Sequence, residues 1–241
     1  MAISAQEFVR ALKASSDPPQ PGGPTKLELA IHTWHDKSML VPNKEENIVE
    51  WLLTRLLKDK DSNGYVNDPR SPLVPDTTFP STSPSGPLLD LKVWKLLGDI
   101  LEASTRSPNA SRSSRPLRSW LLPLLNRLPI SPILVTFLSL VTHEQSVELI
   151  DIACKTLALL WPLAVPKINA DGLLDCFSAL TSFLAHPDWK HFNGASAESF
   201  LHLANLVISS YRSSLSGHAA KKKVNRHMFP IRVSCTDAHI V

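Results

Sequence analysis

Glycine is scarce in this chain, with eight in 241 residues, and neither G-x-x-x-x-G-K nor G-x-G-x-x-G occurs. A phosphate-cradling loop needs glycines where backbone closes on the ligand, so the common nucleotide-binding loops have no material here. Cysteine is rarer still. Cys154, Cys176 and Cys235 form no C-x-x-C pair, and no H-E-x-x-H is present. The first two cysteines fall inside apolar helical patterns, where a thiol packs as a small hydrophobe, and this usage fits a reducing, intracellular compartment. Long apolar runs are also missing. "LPISPILVTFLSLV" at 128–141 is interrupted by two prolines and several hydroxyls, short of the roughly 20 apolar residues of a membrane span. No membrane helix is therefore expected. The N-terminal "MAISAQEFVRALK" mixes acid and base within an amphipathic pattern, unlike a secretory signal, so export by that route is not expected either. Neither a catalytic role nor a cofactor is expected.

Carboxylates are absent from Ala103 to His143, a stretch that holds Arg106, Arg112, Arg115, Arg118 and Arg127. Residues 215–241 carry five Lys plus Arg against one Asp, within a formal net charge of +3. The basic charge is thus concentrated while the body is close to neutral.

What is abundant is helical patterning in leucine. Ser4 and Glu7 have the S-x-x-E form of a capping box, placing a helix start at Ser4, with Ile3, Phe8 and Leu12 as its apolar side. "SSDPPQPGGP" then reads as a linker. A second helix follows over "TKLELAIHTWHDKSML", with Leu27, Ile31 and Trp34 sharing a face. In "LVPNKEENIVEWLLTRLL", Pro42 holds its predecessor extended, Asn43 is placed to cap, and Glu45 and Glu46 meet the positive end of the helix dipole. Ile48, Val49, Trp51, Leu52, Leu53, Leu56 and Leu57 cover more than one stripe, as in a helix with neighbours on two sides. Trp34 and Trp51 are read as locks between neighbouring helices, because an indole buries a large area.

Residues 61–87 are rich in Pro, Ser, Asp and Thr, and 105–115 in Ser and Arg; both are expected to be disordered loops. Helix is expected between them over "LLDLKVWKLLGDILEAS", and afterwards over about 117–128, 131–142, 144–161, 170–185 and 196–214. Pro123 is expected to kink or split the first of these five, and Thr142 with Gln145 to box the start of the third. No strand-like alternation bounded by turns appears. The expected fold is all-α: an irregular, α-solenoid-like helical-repeat array of antiparallel helices with long disordered loops, over residues 1–214. A basic tail without further helical patterning occupies 215–241.

Candidate functional residues are few. His32, His35 and Asp36 lie within one turn, but no further ligand set accompanies them, and a polar helix face is the better reading. His186, Asp188 and His191 in "HPDWKH" read as a turn anchored by Trp189. Arg106, Arg112, Arg115 and Arg118 are candidate RNA contacts, since guanidinium forks match phosphate oxygens. Lys221, Lys222, Lys223 and Arg226 are a candidate nuclear-import or RNA patch.

Residues 30–57, "AIHTWHDKSMLVPNKEENIVEWLLTRLL", place a Trp-containing helix before a "VPNKEE" junction and an apolar helix with Trp51 after it. With "LLDLKVWKLLGDIL" following a variable insertion, this resembles the N-terminal region of the large nucleolar pre-rRNA-processing scaffolds of the Urb/Npa type. The resemblance implies a non-catalytic scaffold in the nucleolus, within the nucleus, for early large-ribosomal-subunit assembly. It would work beside other assembly factors, including another helical scaffold and a DEAD-box helicase, on pre-rRNA and away from membranes. Members of that family are several times longer, so the resemblance implies a portion of a larger protein, and no functional residue carries over. A generic helical-repeat adaptor for protein partners is the alternative.

Overall fold

The computed structural model describes residues 4–63, 86–106, 117–141, 146–185 and 194–227, with backbone alone at 59–63, 106, 195 and 217–227. The described residues are all-α, without a strand. The helices are α1 (Ala5–Lys13), α2 (Lys26–His35), α3 (Lys44–Asn63), α4 (Leu91–Arg106), α5 (Leu117–Arg127), α6 (Ile130–Leu140), α7 (Val147–Ala164), α8 (Ala170–Ala185) and α9 (Gly194–His227). Short 3-10 turns cover Pro87–Leu89 and Val165–Lys167.

Local chemistry sets the helix starts. Ser4 and Glu7 close the expected capping box, with Ser4 N–H donating to Glu7 Oε2 at 2.8 Å. Thr25 and Glu28 close a second one at α2, where Thr25 N–H donates to Glu28 at 2.9 Å; the "TKLE" spacing carries the same signal. Asn43 starts α3 through its backbone: it adopts φ 51°, and its carbonyl accepts from Asn47 N–H at 3.0 Å. Lys44 reaches back, donating from Nζ to the carbonyls of Thr33 at 2.9 Å and Asp36 at 3.0 Å. A cation thereby meets the negative end of α2, which joins the two helices through the "VPNKEE" junction. α7 is capped by Ser146, whose Oγ accepts from Leu149 N–H at 3.1 Å, whereas Thr142 and Gln145 lie outside the described residues.

Several expected boundaries move. α3 runs to Asn63 and α4 to Arg106, so the first residues of both expected loops, 61–63 and 105–106, are helical. Pro123 does not split α5. The break falls at Leu128 and Pro129, where α5 and α6 bend by 72°, since a proline suits the turn before a first helical residue better than mid-helix. α9 continues to His227, past the point where its apolar stripe lapses, because Ala and Lys favour helix without burying anything. On α2 the buried side chains are Lys26, Leu27, Leu29, Ala30 and Thr33, so the buried face is rotated from the expected one and leaves Ile31 and Trp34 half-buried.

Packing follows a simple order. α1 pairs with α2, α3 with α4, α6 with α7, and α8 with α9. Successive pairs stack so that α1, α3, α6 and α8 form one row and α2, α4, α7 and α9 the other; α5 lies against α3, α4 and α7. α7 is central and buries residues on nearly every side, from Leu149 to Ala164. By length and hydropathy Val147–Lys167 is the one described segment able to cross a membrane as a single helix. Its burial among α4, α5, α6 and α9 accounts for that apolarity.

Trp94 and Trp161 are the largest fully buried side chains. Trp94 Nε1–H donates to the Leu88 carbonyl at 2.8 Å, and its ring meets Phe137 edge-on at 5.5 Å. Trp161 Nε1–H donates to Ser210 Oγ at 3.0 Å, tying α7 to α9. Trp34 and Trp51 pack against the core as half-buried residues. Truncating an indole as enclosed as Trp94 or Trp161 costs about 3–5 kcal/mol, so these two anchor the stack more than the pair around the "VPNKEE" junction.

Candidate functional site

The acid-free arginine segment is only partly acid-free in space. Arg127, at the end of α5, pairs with Glu50 of α3 at 3.0 Å. A carboxylate 77 positions upstream in sequence thus meets one of the five arginines. Arg118 is exposed in the first turn of α5. Arg106 ends the backbone of α4, and Arg112 and Arg115 lie outside the described residues. Because α4 and α5 pack on each other, the backbone at Arg106 and the Arg118 side chain belong to adjacent helices. Lys221, Lys222, Lys223 and Arg226 fall on the helical backbone of α9. No acid occurs between Glu198 and Asp237, so that helix end is cationic along the chain.

A second polar site lies where the segment between α1 and α2 crosses α3. Asp17 organises it. Its Oδ1 accepts from Lys26 N–H at 2.9 Å, and its Oδ2 takes Arg55 Nη1 at 2.9 Å. The buried Lys26 ammonium donates to the Ala14 carbonyl. The Arg55 guanidinium sits 5.5 Å from the centre of the Trp51 ring. These residues line a cleft of about 650 Å³ together with Lys13, Glu50, Thr54 and Lys58. The linker is therefore pinned to α3 by a bridging carboxylate. Its only sequence signal is Asp17, the lone acid of a Ser/Pro/Gly stretch. The contacts of Asp17, Lys26 and Arg55 clasp the linker to α3, while Arg55 Nε is buried there without a hydrogen-bond partner among the described residues.

Among the described residues neither metal nor thiol chemistry gathers. His32 and His35 are exposed on α2 beside Asp36, whose carboxylate accepts from Ser38 N–H at 2.9 Å and Ser38 Oγ at 2.6 Å. Those bonds hold the Asp36 carboxyl below its ordinary value. Among the described residues no group of three or more His, Cys, Asp or Glu is placed to share a metal ion. His186, Asp188 and His191 lie outside the described residues. Cys154 is fully buried and desolvation pushes its thiol up to about 12, with Asp151 adding repulsion. Burial does the same to Cys176, also to about 12, with Asp175 contributing. A nucleophilic cysteine needs accessible thiolate near neutral pH, and neither residue supplies it.

Comparison with protein-family models, with curated proteins and with solved structures returns no match for this chain.

Proposed function

We propose that this chain is a non-catalytic helical-repeat scaffold that helps assemble early precursors of the large ribosomal subunit during pre-rRNA processing in the nucleolus. The observation that carries the scaffold reading is the two-row stack of helix pairs. In such an array each pair contacts its neighbours, so the product of folding is an extended surface and not an enclosed pocket. The ribosome-assembly reading adds the sequence resemblance at 30–57 and 88–101. Chemistry suited to RNA accompanies it: Arg106, Arg112, Arg115 and Arg118 for phosphate contact, and Lys221, Lys222, Lys223 and Arg226 for import or RNA. The partners are other pre-ribosome assembly factors, a helical scaffold and a DEAD-box helicase among them. No cofactor takes part.

The deciding experiment localises the endogenous protein and sequences the RNA that co-purifies with it. Nucleolar signal with large-subunit pre-rRNA is the expected result. Cytoplasmic signal with protein partners and no pre-rRNA overturns the reading and leaves a generic helical-repeat adaptor.

A further inference from the structure

The two ends of the stack differ in what they expose. On the first pair the outward residues are polar: Gln6, Glu7, Arg10 and Lys13 on α1, and Glu28, His32 and His35 on α2. On the last described pair leucines stand exposed among polar residues such as Asp171, Ser178 and Thr181 on α8 and Glu198, His202 and Asn205 on α9. Leu174 of α8 is 48% exposed, and Leu201 and Leu215 of α9 are 49% and 52% exposed. Among the described residues these are three of the six large hydrophobics that are exposed, the others being Leu40, Val147 and Leu159. A stack of helix pairs stays monomeric when its end pairs present polar outer faces.

Helical phase puts these leucines on the stacking face. α9 turns Ser199 and Ser210 to α7, bonding Asp151 at 2.5 Å and Trp161 at 3.0 Å. At about 100° per residue, Leu201 and Ile208 emerge roughly opposite those serines, with Leu215 seven positions beyond Ile208. α8 turns Cys176 to the Ser131 carbonyl of α6 at 3.9 Å. Leu174, two residues back, emerges about 200° away from it. The uncovered leucines therefore point where the next helix pair would stack.

Charge identifies the occupant. α8 carries Asp171 and Asp175, both exposed, and no cation. α9 presents the exposed Arg212 beside Leu215. Phe177 stacks on Tyr211 at 4.8 Å and Phe183 meets Phe200 at 4.9 Å. Rising numbers on α8 face falling numbers on α9, so the helices are antiparallel, and Asp171 to Asp175 lie level with the region of Arg212 and Leu215. A two-fold axis running between the helices and parallel to them keeps every residue at its height while laying α8 of one copy on α9 of the other. That operation sets Leu174 against Leu215 and the two aspartates against Arg212, twice over.

We propose that the outer face of α8 and α9 is a self-association face that pairs with the same face of a second copy of this chain. The contact is isologous, so it closes at the dimer. It rests on the helix stack and does not depend on the ribosome-assembly reading. At 1.5 Å per residue α8 is about 24 Å long, and two helices side by side are about 20 Å wide. The projected face of roughly 500 Å² per copy falls at the small end for specific interfaces, so affinity belongs in the micromolar range.

Sedimentation equilibrium of the full chain tests this, from about 1 to about 200 µM so as to bracket that range. The expected mass rises from 26.6 kDa towards twice that value. Leu174→Glu and Leu201→Glu should each weaken association at least about tenfold with unchanged circular dichroism, while Leu159→Glu, on the exposed side of α7, should not. Arg212→Asp should weaken it and Asp175→Arg in the same chain should restore it. A monomer at every concentration overturns the proposal, as does a dimer indifferent to Leu174→Glu and Leu201→Glu, or binding of these leucines to another protein alone.

Discussion

Replacing Gly98 by alanine probes the joint between the second and third helix pairs. Gly98 lies in the middle of α4, and a Cβ there would come 3.0 Å from Thr156 Oγ1 and 4.0 Å from Ile152 Cγ2 on α7. Two effects oppose each other. Alanine is favoured over glycine inside a helix by about 1 kcal/mol. Against that, Thr156 is 1% exposed, and a β-branched side chain within a helix has few rotamers to escape into. Forcing it off-rotamer costs about 0.5–1.5 kcal/mol, and overpacking a filled helix crossing typically costs about 1–3 kcal/mol in all. The steric cost exceeds the propensity gain, so Gly98→Ala should destabilise the protein by about 1 kcal/mol. Thr156→Ala removes the atom in the way. In that background Gly98→Ala should become stabilising by about 1 kcal/mol, a coupling of about 2 kcal/mol between the two sites. Urea unfolding of the four proteins, followed by far-ultraviolet circular dichroism, measures the cycle. If Gly98→Ala stabilises the wild type by the full propensity difference and shows no coupling to Thr156, the helices do not approach closely there and the reasoning fails.

Three further outcomes follow from the geometry. In a Cys235→Ser background, Cys154 and Cys176 should resist iodoacetamide at pH 8 in the native state and react on unfolding, since burial holds both thiols near 12; rapid native labelling would contradict their packing. The exposed Glu28 is held below the ordinary 4.5 first by the Thr25 backbone N–H and then by the Thr25 hydroxyl. A lowered folded-state value means that the cap's contribution is present above pH 4.5 and lost as pH falls through that lowered value; Thr25→Ala should move the Glu28 titration part of the way back up by NMR, and an unmoved titration would refute the cap. If Arg106, Arg112, Arg115 and Arg118 each neutralise a single-strand phosphate, affinity for a pre-rRNA fragment should fall with salt at a log-log slope of about −3, and the quadruple alanine variant should flatten it. Equal curves for the two proteins would remove RNA binding from this segment.

Sequence by itself determined the all-α class and the location of most helices. The reason is that caps and apolar periodicity are written within four residues of each other, as at Ser4 and Glu7, and backbone hydrogen bonds close over the same short range. The Thr25–Glu28 box was legible in the same terms. Features made by distant residues were not. The Arg127–Glu50 and Asp17–Arg55 pairs join α5 and the first linker to α3, and no local pattern selects one carboxylate among many for a given arginine. Likewise the partner of the Trp161 indole, Ser210, lies 49 residues away. Gly98 read locally is a weak helix residue; only the approach of Thr156 shows that a side chain there would collide. The chain marks Leu174, Leu201 and Leu215 as hydrophobic, like dozens of others. Tertiary structure alone decides that these three stay uncovered, because burial is set by which helices stack on which, and that order follows from three-dimensional packing, which the spacing of residues along the chain does not encode.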